Sequence, residues 1–218
     1  MPAPEIRPEN LLDTRPETDA AVILRIISNR RSIKPGDYLE TPIPPAILDQ
    51  LFEAANWAPT HGMTEPWRFV VFEGDTRIAL GEELARIYRS TTSADQIQDA
   101  KAEKLCRNPS LSPCILAIGM HRQVSKKIPE IEEIEAVACA VQNLHLMATA
   151  LGIGGYWSSG APICTNEFRD FLGMSPDDKV LGLFYLGYPS KPWPTGTRTP
   201  NSEKVTWYNN NPSAATSP

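Results

Sequence analysis

The sequence has few of the groups that make a metal centre or a nucleophilic site. Its 218 residues include four cysteines and three histidines. Cys106, Cys114, Cys139 and Cys164 form no Cys-x-x-Cys pair, and each lies in an apolar or helical context. They read as reduced core thiols rather than a disulfide framework. His61, His121 and His145 have no second histidine or carboxylate at a metal-ligand spacing, so no zinc or iron site is expected. No Ser-His-Asp or Cys-His pattern stands out, and there is no Walker-type loop. No apolar run is long enough to span a bilayer. Met1 to Asp19 is rich in proline and acidic residues and lacks an apolar signal segment, so a cytoplasmic protein is expected. The formal net charge of −5 speaks against a broad nucleic-acid surface, which needs clustered Lys and Arg. Any phosphate binding must be local.

What is present suffices for a packed core: 41% of residues are hydrophobic and 22% are charged. The expected organisation is a flexible N-terminal extension over 1–18, a single domain over 19–208, and a disordered tail over 209–218. A helix is predicted from about Asp19 to Asn29. A second is predicted to open at Pro44-Pro45, where the missing proline N–H does no harm, and to stop before Pro59. Arg68 to Phe72 reads as a strand ended by Gly74, and 75–89 as a helix. The stretch 90–94 is polar, with a helix resuming through Leu105. Cys114 to Ile118 has the apolar run of a buried strand. The longest helix starts near Glu130, whose acidic first turn suits the helix dipole. Beyond that turn it carries little charge on any side, so it is expected to be buried nearly all round, in a central position or at a subunit interface. A further strand opens at Tyr156, a short helix covers 166–172, and a last strand covers 180–188. The mixture is an α+β or α/β layer pattern.

Four segments carry chemistry. Gly152-Ile153-Gly154-Gly155 has the glycines of a dinucleotide loop in the wrong order: they follow a helix and precede a strand, whereas that loop must open a helix. Gly152 fits a left-handed helix C-cap instead. Arg30-Arg31-Ser32-Ile33-Lys34 can hold a phosphate through charge-assisted bonds, or can simply be a basic helix end stabilised by the dipole. The loop Ala58-Pro59-Thr60-His61-Gly62-Met63-Thr64-Glu65-Pro66-Trp67 is stiffened by its prolines, and is either a connection or part of a site. Trp157-Ser158-Ser159-Gly160-Ala161-Pro162 is either a plain turn or a place where a flat ligand meets bare backbone.

Taken together and in this order, these segments resemble the nitroreductase family of flavoproteins, and its small members most closely. The likeness spans about Leu24 to Arg198. It rests on Arg-Arg-Ser after the first helix, the Ala-Pro-x6-Pro-Trp loop, Leu-Gly-x-Gly-Gly-x-Trp at 151–157, and Gly-x-x-Tyr-Leu-Gly at 182–187. The resemblance implies an α+β three-layer sandwich with a central mixed or antiparallel sheet flanked by helices. It also implies an intertwined homodimer with FMN at the subunit interface. By resemblance, Arg30 and Ser32 hold the phosphate and ribityl chain with Arg31 beside them, and Arg198 adds a phosphate contact. Lys34 falls where the family often keeps a basic residue over the flavin's pyrimidine edge. Pro59, Thr60, His61, Met63 and Glu65 belong to the loop that reaches the flavin from the partner subunit. Ser158, Ser159, Gly160 and Ala161 line the isoalloxazine ring. The sequence departs from the family in having Glu65 where many relatives place Gln, and Ser158 where small relatives often have Arg.

The implied reaction is a ping-pong cycle in which NAD(P)H passes a hydride to the flavin and a small conjugated acceptor, nitroaromatic or quinone-like, takes the electrons. Lys34 is the expected electrostatic catalyst, acting on negative charge at the flavin's pyrimidine edge. The alternatives are a specialised flavin enzyme, for reductive dehalogenation or flavin breakdown, and a low-turnover flavin-binding or sensing protein. The specialised activities often use a lid, for which 90–108 is the candidate. A flavin-free interaction domain is a further class.

Overall fold

Alternation along four strands sets the layers of this molecule. The computed structural model describes residues 17–208, so the expected tails before 17 and after 208 lie outside the described residues. Strands β1 (Trp67–Glu73), β2 (Cys114–Met120), β3 (Gly154–Ser158) and β4 (Lys179–Gly187) form one sheet in the order β1-β2-β4-β3. All three neighbouring pairs are antiparallel. Every residue of β2 is buried. Its Leu116, Ile118 and Met120 enter one apolar cluster, and Ile115 and Ala117 enter the other, because successive side chains point to opposite faces.

Helices cover both faces. On one side lie α2 (Pro45–Asn56) and α5 (Glu130–Ala150), bringing Leu48, Leu51, Val137, Val141 and Leu144. On the other lie α3 (Thr76–Thr91) and α6 (Asn166–Phe171), with Leu80, Leu84, Ile87 and Phe168. The result is the expected α+β sandwich, helix–sheet–helix. Helix α1 (Glu17–Asn29) starts inside the stretch expected to be an extension, and α4 (Asp99–Arg107) follows α3.

The candidate lid is folded onto α3. The Tyr88 hydroxyl accepts from the Gln98 N–H at 3.1 Å, and Lys101 sits 4.7 Å above the Tyr88 ring. A Cβ on Gly81 would lie 2.0 Å from the Cys106 carbonyl, so α3 and α4 meet with bare backbone between them. The pair is a packed helical hairpin.

A register shift in the central pair has consequences downstream. Ile118 faces Gly182 whereas Gly119 faces Val180, a bulge at Gly182 with φ 151°. The bare glycine leaves room for the Trp157 indole, whose ring nitrogen would lie 2.2 Å from a Cβ there. That N–H donates to the Leu181 carbonyl at 3.1 Å, fastening the end of β3 to β4.

Two expectations need correction. Only Cys114 of the four cysteines is buried, its thiol pushed up to about 12 chiefly by desolvation; Cys106, Cys139 and Cys164 are exposed and are not core thiols. Helix α5 is not buried all round within one chain. Ile131, Ala138, Cys139, Gln142 and Ala150 are exposed. The low charge of that side reflects a surface the chain does not cover by itself.

A buried charged network closes the sheet end near the start of α5. Arg122 pairs with Glu133, which is almost fully buried and also accepts from the Gln123 N–H at 3.3 Å. Asp178 accepts from the backbone N–H groups of Arg122 (2.9 Å) and Ser175 (3.0 Å) and lies 3.0 Å from His121 Nδ1. Each buried charge therefore has the partners that burial demands. Among the described residues, no helix is long and apolar enough to cross a membrane.

Candidate functional site

Helix α1 ends at Asn29, and the chain then joins the sheet. Ser32 forms a parallel bridge with Gly155, and the Ile33 N–H donates to the Gly155 carbonyl at 3.0 Å. Ile33 is buried, which turns its neighbours Ser32 and Lys34 outward, and both are exposed. Because the bridge is parallel, this segment and β3 run in the same direction, towards Lys34 on one and Ser158 on the other.

The two arginines do different work. Arg31 donates from Nη1 to the carbonyls of Ser28 and Arg30, both at 2.7 Å. It caps the end of α1, where free carbonyls and the dipole favour a cation. Its Nε is enclosed without a partner, and a Cβ on Gly196 would lie 2.3 Å from its guanidinium. Arg31 also lines a cavity of about 500 Å³ with Arg25, Asn29, Thr149 and Trp193. Two helix C-termini meet there, and the Arg31 guanidinium answers carbonyls at the end of the first. Arg30 is half-buried and is held below the usual guanidinium range by burial, then by Arg198 and Arg31. Among the described residues no carboxylate pairs with Arg30, Arg31 or Arg198. Like charges gathered without a counter-ion repel, and an anion bound between Arg30 and Arg198 would relieve that.

The far end of the segment is open. Lys34 lines a cavity of about 290 Å³ with Ser32, Asp37 and Lys191, the last two forming an ion pair. After β3, the Ser158–Ala161 turn closes with the Ile163 N–H donating to the Gly160 carbonyl at 2.7 Å. Gly160 has φ 117°, which only glycine adopts readily, and open space lies where a Cβ would stand. Ser159, Gly160 and Ala161 are exposed and small, a bare surface suited to a flat ring.

The third segment stands elsewhere. Met63 (φ 53°) and Glu65 (φ 42°) are left-handed, as is Gly62 (φ 60°). Such conformations in non-glycine residues cost about 1–3 kcal/mol each and gather at functional loops. The Thr60 hydroxyl holds the loop, accepting from the Glu65 N–H at 3.2 Å and bonding to Thr64 at 3.0 Å. His61 Nδ1 lies 2.5 Å from Glu132 in the first turn of α5. Met63 and Trp57 are 76% and 79% exposed. Glu132 and His145, the latter beside Arg31, are thirteen residues apart on α5, or about 20 Å along the axis. One chain thus brings together Arg30, Arg31, Ser32, Lys34, Arg198 and the Ser158–Ala161 turn. It does not bring Pro59, Thr60, His61, Met63 or Glu65 to them.

The nitroreductase family model matches residues 27–188. The chain belongs to the nitroreductase family. It is 29% identical over 186 residues to the Escherichia coli protein "Putative NAD(P)H nitroreductase YdjA", covering 85% of this chain and 98% of that one. It is 28% identical over 199 residues to rat (Rattus norvegicus) iodotyrosine deiodinase 1, covering 83% and 65%. Among solved structures, a nitroreductase-like family protein from Bacillus cereus superposes with a TM-score of 0.75 at 24% identity, covering 85% and 95%. A Bacteroides fragilis nitroreductase with bound FMN does so at 0.64 and 21%, covering 86% and 98%. The chain is an oxidoreductase of this family, and its sandwich is the family's fold.

Two residues of the candidate site have roles that only the structure shows. Trp157 fastens the strand from which the Ser158 turn leaves, an effect that needs the Gly182 bulge to be seen. His145, weighed from sequence only as a metal ligand, lies directly behind Arg31. Its signal is a lone imidazole in a helical stretch otherwise free of charge.

Proposed function

We propose that the protein is an FMN-dependent oxidoreductase that carries electrons from NAD(P)H to a small conjugated acceptor, nitroaromatic or quinone-like, as a cytoplasmic homodimer with one FMN-binding domain over residues 19–208. The observation that carries this reading is the pair of guanidiniums, Arg30 and Arg198, which meet no carboxylate among the described residues, at one end of a strip whose other end is exposed Lys34 and a bare turn. A phosphate fits the first end and a flat ring the second. Arg30, Arg198 and Ser32 hold the phosphate and ribityl chain, with Arg31 steadying the helix end. Ser158, Ser159, Gly160 and Ala161 carry the ring. When bound, FMN would supply the redox chemistry of a ping-pong exchange between NAD(P)H and the acceptor. Lys34 contributes positive charge where the ring gains negative charge.

The homodimer reading has its own support. Val22, Ile23, Leu24 and Ile27 of α1 are exposed, and Leu24 is 67% so. An apolar groove of about 260 Å³ runs beside them, lined by Ile23, Ile27, Leu146 and Met147. With the uncovered face of α5 this makes a continuous apolar surface of the kind a second copy covers. Such a partner also provides the loop of Pro59, Thr60, His61, Met63 and Glu65 that one chain holds away from its own anchor.

The purified protein is expected to be yellow, with absorbance bands near about 370 and 450 nm that bleach on adding NADH or NADPH anaerobically. A colourless protein that takes up no FMN defeats the reading, and flavin that stays oxidised under both donors leaves a binding or sensing protein. Lys34→Ala is expected to keep the colour and lower the flavin midpoint potential by about 50 mV, from loss of one nearby positive charge. An unchanged potential and reduction rate would remove Lys34 from the chemistry. Similarity to iodotyrosine deiodinase favours reductive dehalogenation as the second reading; release of iodide from an iodophenol, in preference to turnover of nitroaromatics or quinones, would select it.

A further inference from the structure

His145 is 6% exposed and has its ring edge against Phe184, centroids 5.0 Å apart at 80°. A leucine or phenylalanine would fill such a place without the penalty of burying polar nitrogens. The imidazole lies there with Nε2 3.1 Å from the Arg31 carbonyl. A carbonyl only accepts, so Nε2 carries the proton. Burial first, then the charge of Arg30, pushes the imidazole down to about 4, so near neutral pH it adds no charge to the arginine cluster. The fit is close on the strand side too. A Cβ on Gly155 would stand 2.9 Å from His145 Cδ2 and 2.6 Å from the Phe184 ring, so β3 lies directly on the imidazole. The bonded carbonyl immediately precedes Ser32, the residue that bridges to Gly155. Arg31 meanwhile holds the carbonyls of Ser28 and Arg30 with its own Nη1. The backbone is therefore gripped at Arg30 by Arg31 and at Arg31 by His145, while the Arg30 guanidinium stands beside Arg198 with no carboxylate partner among the described residues.

We propose that His145 is a positioning residue of the phosphate anchor, holding the Arg31 carbonyl from the core side and so setting where the chain at Arg30 and Arg31 runs before it meets β3. This rests on the reading that Arg30 and Arg198 face the phosphate of FMN. The role concerns the phosphate end specifically. The ring end is set by the bulge of β4 against β2 at Gly182 and by Trp157, which is fastened to Leu181.

The test compares two flavins. Dissociation constants of FMN and of riboflavin, which has the ring and ribityl chain but no phosphate, are measured by fluorescence for the native protein, His145→Phe and His145→Gln. His145→Phe is expected to weaken FMN about tenfold, the effect of one well-placed hydrogen bond. His145→Gln, which returns an N–H donor near the Nε2 position, is expected to recover most of that. Riboflavin should bind all three within about twofold. Equal weakening of both flavins in His145→Phe would show a general packing role and overturn the proposal. So would unchanged FMN binding, or a Gln variant no better than Phe. If the Phe variant does not fold, His145→Met, a flexible side chain without a donor, replaces it in the same comparison. Should the native protein hold FMN no more tightly than riboflavin, the phosphate anchor itself fails, a result separate from any behaviour of His145.

Discussion

Arg30→Met is expected to yield a folded, colourless protein. Methionine keeps most of the aliphatic length and removes the charge and its donors. Arg30 is half-buried beside Arg198 and Arg31, so its charge is poorly screened and its bonds to an anion are charge-assisted. Removing one member of such a pair typically costs about 2–5 kcal/mol, so the FMN dissociation constant should rise at least about thirtyfold. The fold should not suffer, because the substitution relieves repulsion from Arg198 and Arg31 in the flavin-free state. Arg198 is exposed, and Arg198→Met should cost only about fivefold. Arg31→Met should do the opposite of Arg30→Met: about 1 kcal/mol off stability through the lost helix cap, with FMN held within a few-fold. The ratio of flavin to protein absorbance, with thermal melts, reads all three. Stoichiometric yellow flavin in Arg30→Met would place the phosphate elsewhere.

That contrast between neighbouring arginines marks how far the sequence could be read. The elements themselves were legible because their signals are local. Pro45 opens α2 and Gly74 follows β1. Gly152 (φ 74°) ends α5 in a Schellman arrangement, with the Ile153 N–H donating to Ala148 at 2.8 Å and the Gly152 N–H to Thr149 at 3.1 Å. That cap also disposes of the dinucleotide-loop reading of the same glycines. Which of Arg30 and Arg31 caps the helix was not legible, because it depends on how the chain turns into its bridge with β3. The burial of α5 was overestimated for a related reason. A face made of Ala138, Cys139, Gln142 and Leu146 has the composition of an interior, and composition does not say whether the chain or a second copy covers it. The bulge at Gly182 and the grip of His145 are long-range matters that no local pattern encodes. The family resemblance supplied the assembled site that local signals left in pieces.

Two inactive variants are expected to repair each other. Arg30→Met removes the anchor. Gly62→Val removes the loop, because Gly62 sits at φ 60° and a Cβ there would press within 3.3 Å of Ile128. A β-branched residue is a genuine outlier at such a φ, so the Thr60–Glu65 turn should collapse. In the proposed homodimer, each variant alone has both sites damaged. In a mixed dimer whose sites are shared across the interface, one site collects both lesions and the other is intact. Random pairing of equal amounts makes about half the dimers mixed, so about a quarter of native activity should return after co-expression. A site built within one chain predicts no recovery, since every site then carries a lesion of its own. The interface can be checked independently with Ala138→Glu, on the uncovered face of α5. If that face packs against a second copy, each copy's carboxylate is buried in an apolar contact, and the protein should run as a monomer without flavin. Recovery in the mixture, together with flavin loss in the Ala138→Glu monomer, would show that the anchor around Arg30 and the strained loop around Met63 are two halves of one site, held apart in one chain because the loop of each chain serves the flavin anchored by the other.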